Sequence, residues 1–155
     1  MKINDFIIAE ATKSAKEIIL NQVVTGDVLK VKADIFPLIS HYGVIIRNNE
    51  EFSVYHNDPF TLNDIGGSII KEDALKWIKN KEIVSIISTK LSESEIKNKI
   101  KLLSNRKYHF LNNNCEHFIA QLKNQNYFSP QVVGFSILFS SLFLTYLILK
   151  TNKKP

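Results

Sequence analysis

Apolar residues return every three or four positions through residues 1–21, at Ile3, Phe6, Ile7, Ala11, Ala15, Ile18 and Ile19. That period predicts a helix with one docking or surface face. The rhythm then shortens. Val23 to Lys32 turns at Gly26-Asp27 and alternates apolar with polar, the pattern of a half-buried strand, and Pro37 breaks the chain before the next one. Ile39 to Ile46 and Glu51 to His56 are rich in Ile, Val, Phe and Tyr and predict two strands joined by a two-residue turn at Asn48-Asn49. Such a turn opposes Arg47 to Glu50, Ile45 to Phe52, Gly43 to Val54 and His41 to His56. Asn57-Asp58-Pro59 is expected to end that strand, a polar loop to follow, and Gly66-Gly67 to form a turn. Ser68-Ile69-Ile70 predicts a short strand, Glu72 to Lys79 a short helix packed through Leu75, Trp77 and Ile78, and Ile83 to Ser88 another strand.

Ser92-Glu93-Ser94-Glu95 has the form of a capping box and opens a helix with Ile96, Ile100 and Leu103 on one face. Its lysines, Lys97, Lys99 and Lys101, form a solvated face. Asn112-Asn113-Asn114 are poor helix-interior residues and good caps, so the helix-permissive run that follows opens at Cys115. The last pattern has no period. Val132 to Leu149 carries no charge, and at about 1.5 Å per residue it extends about 27 Å, near the hydrocarbon thickness of a bilayer. Its Val, Ile, Leu and Phe residues, at about −0.3 to −0.6 kcal/mol each, favour insertion by several kcal/mol. A buried core helix of that composition would need apolar partners on every side, which a domain this small does not offer.

The resulting organisation is an N-terminal helix over 1–21, an α+β domain over 22–123, a linker over 124–131 and a transmembrane anchor over 132–149. The linker is short enough to hold Cys115 near the bilayer surface. Asp5, Glu10 and Glu17 interrupt the first segment, so it does not read as a secretory signal.

Charge changes this picture little. The chain of 155 residues has a formal charge of +5, but Lys150, Lys153 and Lys154 lie in the tail while every acidic residue precedes it. The rest is close to balanced, with no basic stripe interleaved with aromatics, so nucleic acid is not an expected partner. Basic residues flank the apolar span on both sides, and charge alone leaves its orientation open. A single cysteine excludes a disulfide within the chain and suits a reducing compartment. One Cys and four His form no Cys-x-x-Cys or His-Glu-x-x-His, so no metal and no other cofactor is expected. Gly66-Gly67 matches no phosphate-binding pattern.

The candidate chemistry centres on Cys115. A lone cysteine is most often an inert core residue. At a helix tip, however, free N–H groups and the helix dipole favour the thiolate and are expected to lower its pKa from about 8.5 toward neutrality. His41 and His56, on one face of the predicted hairpin, are spaced for one imidazole to orient the other, with small Gly43 leaving room for something to approach. Taken singly, each histidine could simply end a strand. His109 and His117 read as structural.

Asn113-Asn114-Cys115-Glu116-His117-Phe118 resembles the signature around the nucleophile of the lecithin retinol acyltransferase family, in particular its small phospholipase/acyltransferase members. Gly26-Asp27, His41-Tyr42-Gly43-Val44, His56, Tyr108 and the hydrophobic C-terminal anchor also fit. The chain differs in having Tyr42 where Trp is frequent and in a wider separation of the two histidines. The resemblance implies Cys115 as nucleophile, His41 as base and His56 as the group that orients His41. The implied fold is an antiparallel sheet packed against helices, a circularly permuted papain-like or NlpC/P60 domain. The implied activity is removal of a fatty acyl chain from a glycerophospholipid such as phosphatidylcholine, through a Cys115 thioester, and its transfer to water, an amine or an alcohol. The domain is then expected on the cytoplasmic side of a single-pass anchor. Two alternatives follow from the same residues: a thiol peptidase or amidase, and a non-catalytic membrane-remodelling module.

Overall fold

A computed structural model describes residues 3–32, 39–49, 51–61, 64–125 and 129–151. The element order is α1 (Ile3–Gln22), β1 (Asp27–Lys32), β2 (Ser40–Asn48), β3 (Glu51–Thr61), β4 (Asp64–Asp73), α2 (Ala74–Ile78), β5 (Ile83–Ser88), α3 (Glu93–Leu103), α4 (Cys115–Leu122) and α5 (Pro130–Thr151). The strands form one antiparallel sheet in the order β4-β3-β2-β1-β5. This α+β sheet has helices on both faces. Leu29, Val31, Ile45 and Val54 pack toward α1 and α2, against Leu20, Trp77 and Ile78. Val28, Val44 and Ile46 pack toward α3 and α4, against Ile96, Leu103, Phe118 and Leu122.

The second helical layer explains why β1 is not the half-buried strand its alternation predicts. Val28, Leu29 and Val31 are all fully buried. Pro37 lies outside the described residues. The α3 capping box forms as its sequence requires, with Ser92 Oγ accepting from Glu95 N–H while Glu95 reaches back to the Ser92 N–H. On α1 the exposed Ile18 departs from the expected packing stripe, and on α2 Leu75 does the same, while Trp77 and Ile78 are buried.

The β2–β3 hairpin closes two residues from the expected register. Its pairs run from Asn48↔Glu51 to Gly43↔His56, so Ile45 opposes Val54 rather than Phe52, and Gly43 opposes His56 rather than Val54. Asn49 takes the left-handed conformation just beyond the closing pair, at φ 53°. Glu50, the expected partner of Arg47, lies outside the described residues. Because the shift is even, every side chain keeps its face. His41 and His56 therefore remain on one face as diagonal neighbours instead of an opposed pair.

The strand expected to end at Asn57-Asp58-Pro59 continues to Thr61, and Gly66-Gly67 lies within β4 rather than in a turn. Pro59 is accommodated because the β3–β4 register shifts between Asp58 and Phe60, where a missing N–H breaks no ladder bond. Gly67, at φ +55°, brings its backbone so close that a Cβ would lie 1.8 Å from the Asp58 carbonyl oxygen. Only glycine fits there.

The apolar C-terminal segment is a helix long and apolar enough to cross a membrane, and none of its residues is buried against the domain. It begins at Pro130, so the connection is tighter than the expected linker. Ser129 is buried, and its hydroxyl donates to the Glu116 carboxylate on α4 and accepts from Asn114 Nδ2 at 3.2 Å and Val132 N–H at 3.2 Å.

Candidate active site

Cys115 stands at the first position of α4 because Asn114 caps it. The Asn114 Oδ1 accepts from Glu116 N–H at 2.9 Å and His117 N–H at 3.1 Å, satisfying N–H groups that have no partner within the helix. Its amide donates back to the Phe110 carbonyl at 2.9 Å. The His117 ring nitrogen Nδ1 lies 2.8 Å from the same Asn114 Oδ1, and His109 Nδ1 accepts from Leu111 N–H at 3.3 Å. Both rings brace the turn before Cys115, as their structural reading requires. Asn57 ties β3 to the same turn, donating to the Asn113 carbonyl at 2.7 Å.

The histidines are carried by the sheet, on the face that packs toward α2. Odd residues of β2 point their peptide groups toward β1, as Ile45 does in accepting from Gly26 N–H at 2.9 Å. Those of Ser40 and Tyr42 therefore point toward β3, whose pairing with β2 stops at Gly43↔His56. The Cys115 thiol meets β2 on the edge where the two strands part, donating to the Ser40 carbonyl at 3.7 Å. Its sulfur thus lies against the backbone that flanks His41. On the α2 side of the sheet, His41 Nε2 and His56 Nδ1 are 2.9 Å apart, with ring planes nearly perpendicular.

Trp77 covers this pair, its ring centre 5.7 Å from that of His41 and 5.3 Å from that of His56. The space expected at Gly43 is filled by the same side chain, since a Cβ there would meet Val54 Cγ2 at 2.3 Å and Trp77 Cη2 at 3.2 Å. Gly43 makes room for Val54 and the tryptophan, not for a ligand. Beyond His56, the donor atoms of His56, Asp58 and Glu72 lie within 4.8 Å of one another.

Electrostatics reverse one expectation. Cys115 is 4% exposed, and burial pushes its thiol from 9.0 up to about 12, with the Glu116 carboxylate adding to the rise. The N–H groups of Tyr42, Glu116 and Cys115 favour the thiolate but do not offset burial. At rest Cys115 is therefore a thiol. His56 is 1% exposed, and burial, then the neighbouring His41 and Lys81, lower its pKa from 6.5 to about 3. His56 is therefore neutral at physiological pH. Tyr108 is pushed to about 12, mainly by burial.

Four contributors escaped the sequence reading. Trp77 was visible only as an apolar packing residue, and Glu72 only as a residue opening a short helix. Ser129 and Gln131 fell within a presumed linker. Gln131 pairs with Ser40 as a strand would, its Oε1 accepting from Ser40 N–H at 2.9 Å and its Nε2 donating to the Ser40 carbonyl at 3.0 Å. Comparison of the chain with family models, with curated proteins and with solved structures finds no match.

Proposed function

We propose that the chain is a membrane-anchored thiol acyltransferase and phospholipase A on a permuted papain-like (NlpC/P60) domain. Its substrate is a glycerophospholipid such as phosphatidylcholine. The observation that carries this reading is that one peptide group holds both the nucleophile and the apolar helix. The Ser40 carbonyl accepts from Cys115 Sγ and from Gln131 Nε2, and Gln131 is the second residue of α5. A bilayer that takes up α5 lies beside the thiol, which suits an ester living in that surface.

In this mechanism His41 acts through Nδ1, because its Nε2 faces His56. The Cys115 S–H proton passes to Nδ1 as sulfur attacks the ester carbonyl carbon. Collapse of the tetrahedral intermediate breaks the ester C–O bond, and the imidazolium returns the proton to the departing alkoxide, leaving a lysophospholipid and a Cys115 thioester. Water, an amine or an alcohol then gives its proton to His41 and attacks the thioester; the C–S bond breaks, and the imidazolium returns that proton to the departing Cys115 sulfur. The N–H groups directed at the sulfur, those of Cys115 and Glu116 at the helix tip and that of Tyr42, supply donors beside the developing oxyanion. A thiol protonated at rest requires proton transfer concerted with attack, which makes the orientation of His41 decisive. The domain lies on the cytoplasmic side of the membrane.

The test uses the full chain in mixed micelles with labelled phosphatidylcholine. Intact-mass analysis should find an acyl adduct on Cys115 that hydroxylamine releases. Lipid turnover undiminished in Cys115→Ala overturns the reading.

A further inference from the structure

The polar chain that begins at His41 does not end cleanly at His56. His56 Nδ1 is engaged with His41, while its Nε2 is buried and, among the described residues, has no hydrogen-bond partner. An orphaned buried donor costs about 1–3 kcal/mol, so its neighbour matters. That neighbour is on β4. His56 opposes Ile70, and Glu72, two residues on and facing the same side, places Oε1 3.7 Å from His56 Nε2. The Glu72 side chain is 33% exposed and so keeps water on its outer side.

We propose that Glu72 is a positioning residue for the acyl transfer proposed above: its carboxylate accepts from His56 Nε2–H and fixes the tautomer of both histidines. The inference rests on that reading for His41. With hydrogen on Nε2, His56 presents a bare Nδ1, which accepts from His41 Nε2–H. That leaves His41 Nδ1 unprotonated and able to take the Cys115 proton. The opposite tautomer of His56 would donate from Nδ1 to His41 Nε2, put hydrogen on His41 Nδ1, and disable the base. During attack a single proton moves, from sulfur to His41 Nδ1. His56 keeps Nε2–H, and the Glu72 carboxylate goes on accepting from it, supporting the imidazolium through the bond between the rings.

The same donors, with Asp58, also suit a divalent cation. A cation would take the Nε2 lone pair and impose the disabling tautomer, so the two assignments predict opposite proton positions.

The experiment reads the histidine nitrogen-15 shifts of the full chain in detergent micelles and, in parallel, acyl transfer from phosphatidylcholine. His56 should show a protonated Nε2 and an unprotonated Nδ1. Glu72→Ala should mix or reverse the tautomers and lower kcat by about 10- to 100-fold with KM for lipid unchanged. Glu72→Gln, which keeps an acceptor oxygen, should retain the tautomer and more of the rate. Hydrogen on His56 Nδ1 in the wild type overturns the proposal, as does a Glu72→Ala protein with unchanged tautomer and kcat. Activity removed by chelation and restored by zinc overturns it in favour of a cation. The tautomer is read in the resting protein, so a chain that never acylates Cys115 sinks the acyl-transfer reading while leaving the Glu72–His56 bond to be judged on the shifts.

Discussion

Acid should destabilise this domain through His56, and the sign and size follow from its burial. The folded pKa of about 3 lies below the unfolded value of 6.5. Below about pH 6.5 the unfolded chain binds a proton that the folded chain refuses, so stability is full above that pH and is lost as pH falls toward 3. The slope is about 1.4 kcal/mol per pH unit, and the whole window comes to about 5 kcal/mol. That is comparable with the entire stability of a domain at the weaker end, about 5–15 kcal/mol. Other groups titrate in the same range, so the comparison is with His56→Gln, which keeps an amide and does not titrate. Urea unfolding at a series of pH values can be followed through Trp77, the only tryptophan, whose ring lies against both histidines. The stability difference, wild type minus His56→Gln, should fall by about 3 kcal/mol between neutral pH and pH 4. Parallel curves refute the argument. A difference that grows on acidification shows that a carboxylate holds His56 as the imidazolium, with the sign of the linkage reversed.

Burial of the thiol, from 9.0 to about 12, should make Cys115 about a thousandfold slower to react with iodoacetamide at mildly alkaline pH than in the urea-unfolded chain. Its folded pKa is the higher one, so the associated stability is full below about pH 9 and lost as pH rises toward 12. Equal labelling rates in the two states would contradict this. Gly43→Ala forces a methyl against Val54 Cγ2 and should cost about 3 kcal/mol. Val54→Ala alone should cost about 2 kcal/mol, yet the double variant should be more stable than Gly43→Ala. Additive losses in thermal unfolding would show that the clash is relieved elsewhere. Asn114→Ala removes the cap of α4 and three further bonds, to Phe110, Ser129 and the His117 ring, and should lower stability by about 2 kcal/mol, the upper end for a cap. A melting temperature unchanged from wild type would remove Asn114 from the support of the Cys115 helix.

What the sequence made legible was local. Ser92 with Glu95, and Asn114 ahead of Cys115, are caps whose geometry depends on a few adjacent residues, and both form where the sequence places them. The apolar segment before Lys150 is likewise determined by its own composition. Strand register is different. Asn48, Asn49 and Glu50 offer two turns of similar quality, and the choice between them is made far away, where Ile45 and Val54 pack under Trp77 and Ile78. Chain ends misled for a related reason: Pro59 marks a strand end unless a bulge excuses its missing N–H, and the bulge depends on Gly67 across the ladder.

The thiol pKa was misjudged because a helix tip is visible in sequence and burial is not. The N–H groups expected to lower the pKa do point at the sulfur, but enclosure outweighs them. The same distinction separates the histidines from Glu72. Side-chain facing on a strand follows parity, which an even slip preserves, so His41 and His56 could be placed on one face from sequence alone. Glu72 reaches His56 only because β4 pairs with β3 in the register that opposes Ile70 to His56. Shifting that ladder by two residues toward the β3–β4 turn would carry the carboxylate about 7 Å along the strand. His56 Nε2 would then lose its only neighbouring carboxylate on that strand while every residue kept its expected face. The orientation of His41, the proposed base, is thus tied to a ladder beyond the strand that Cys115 meets.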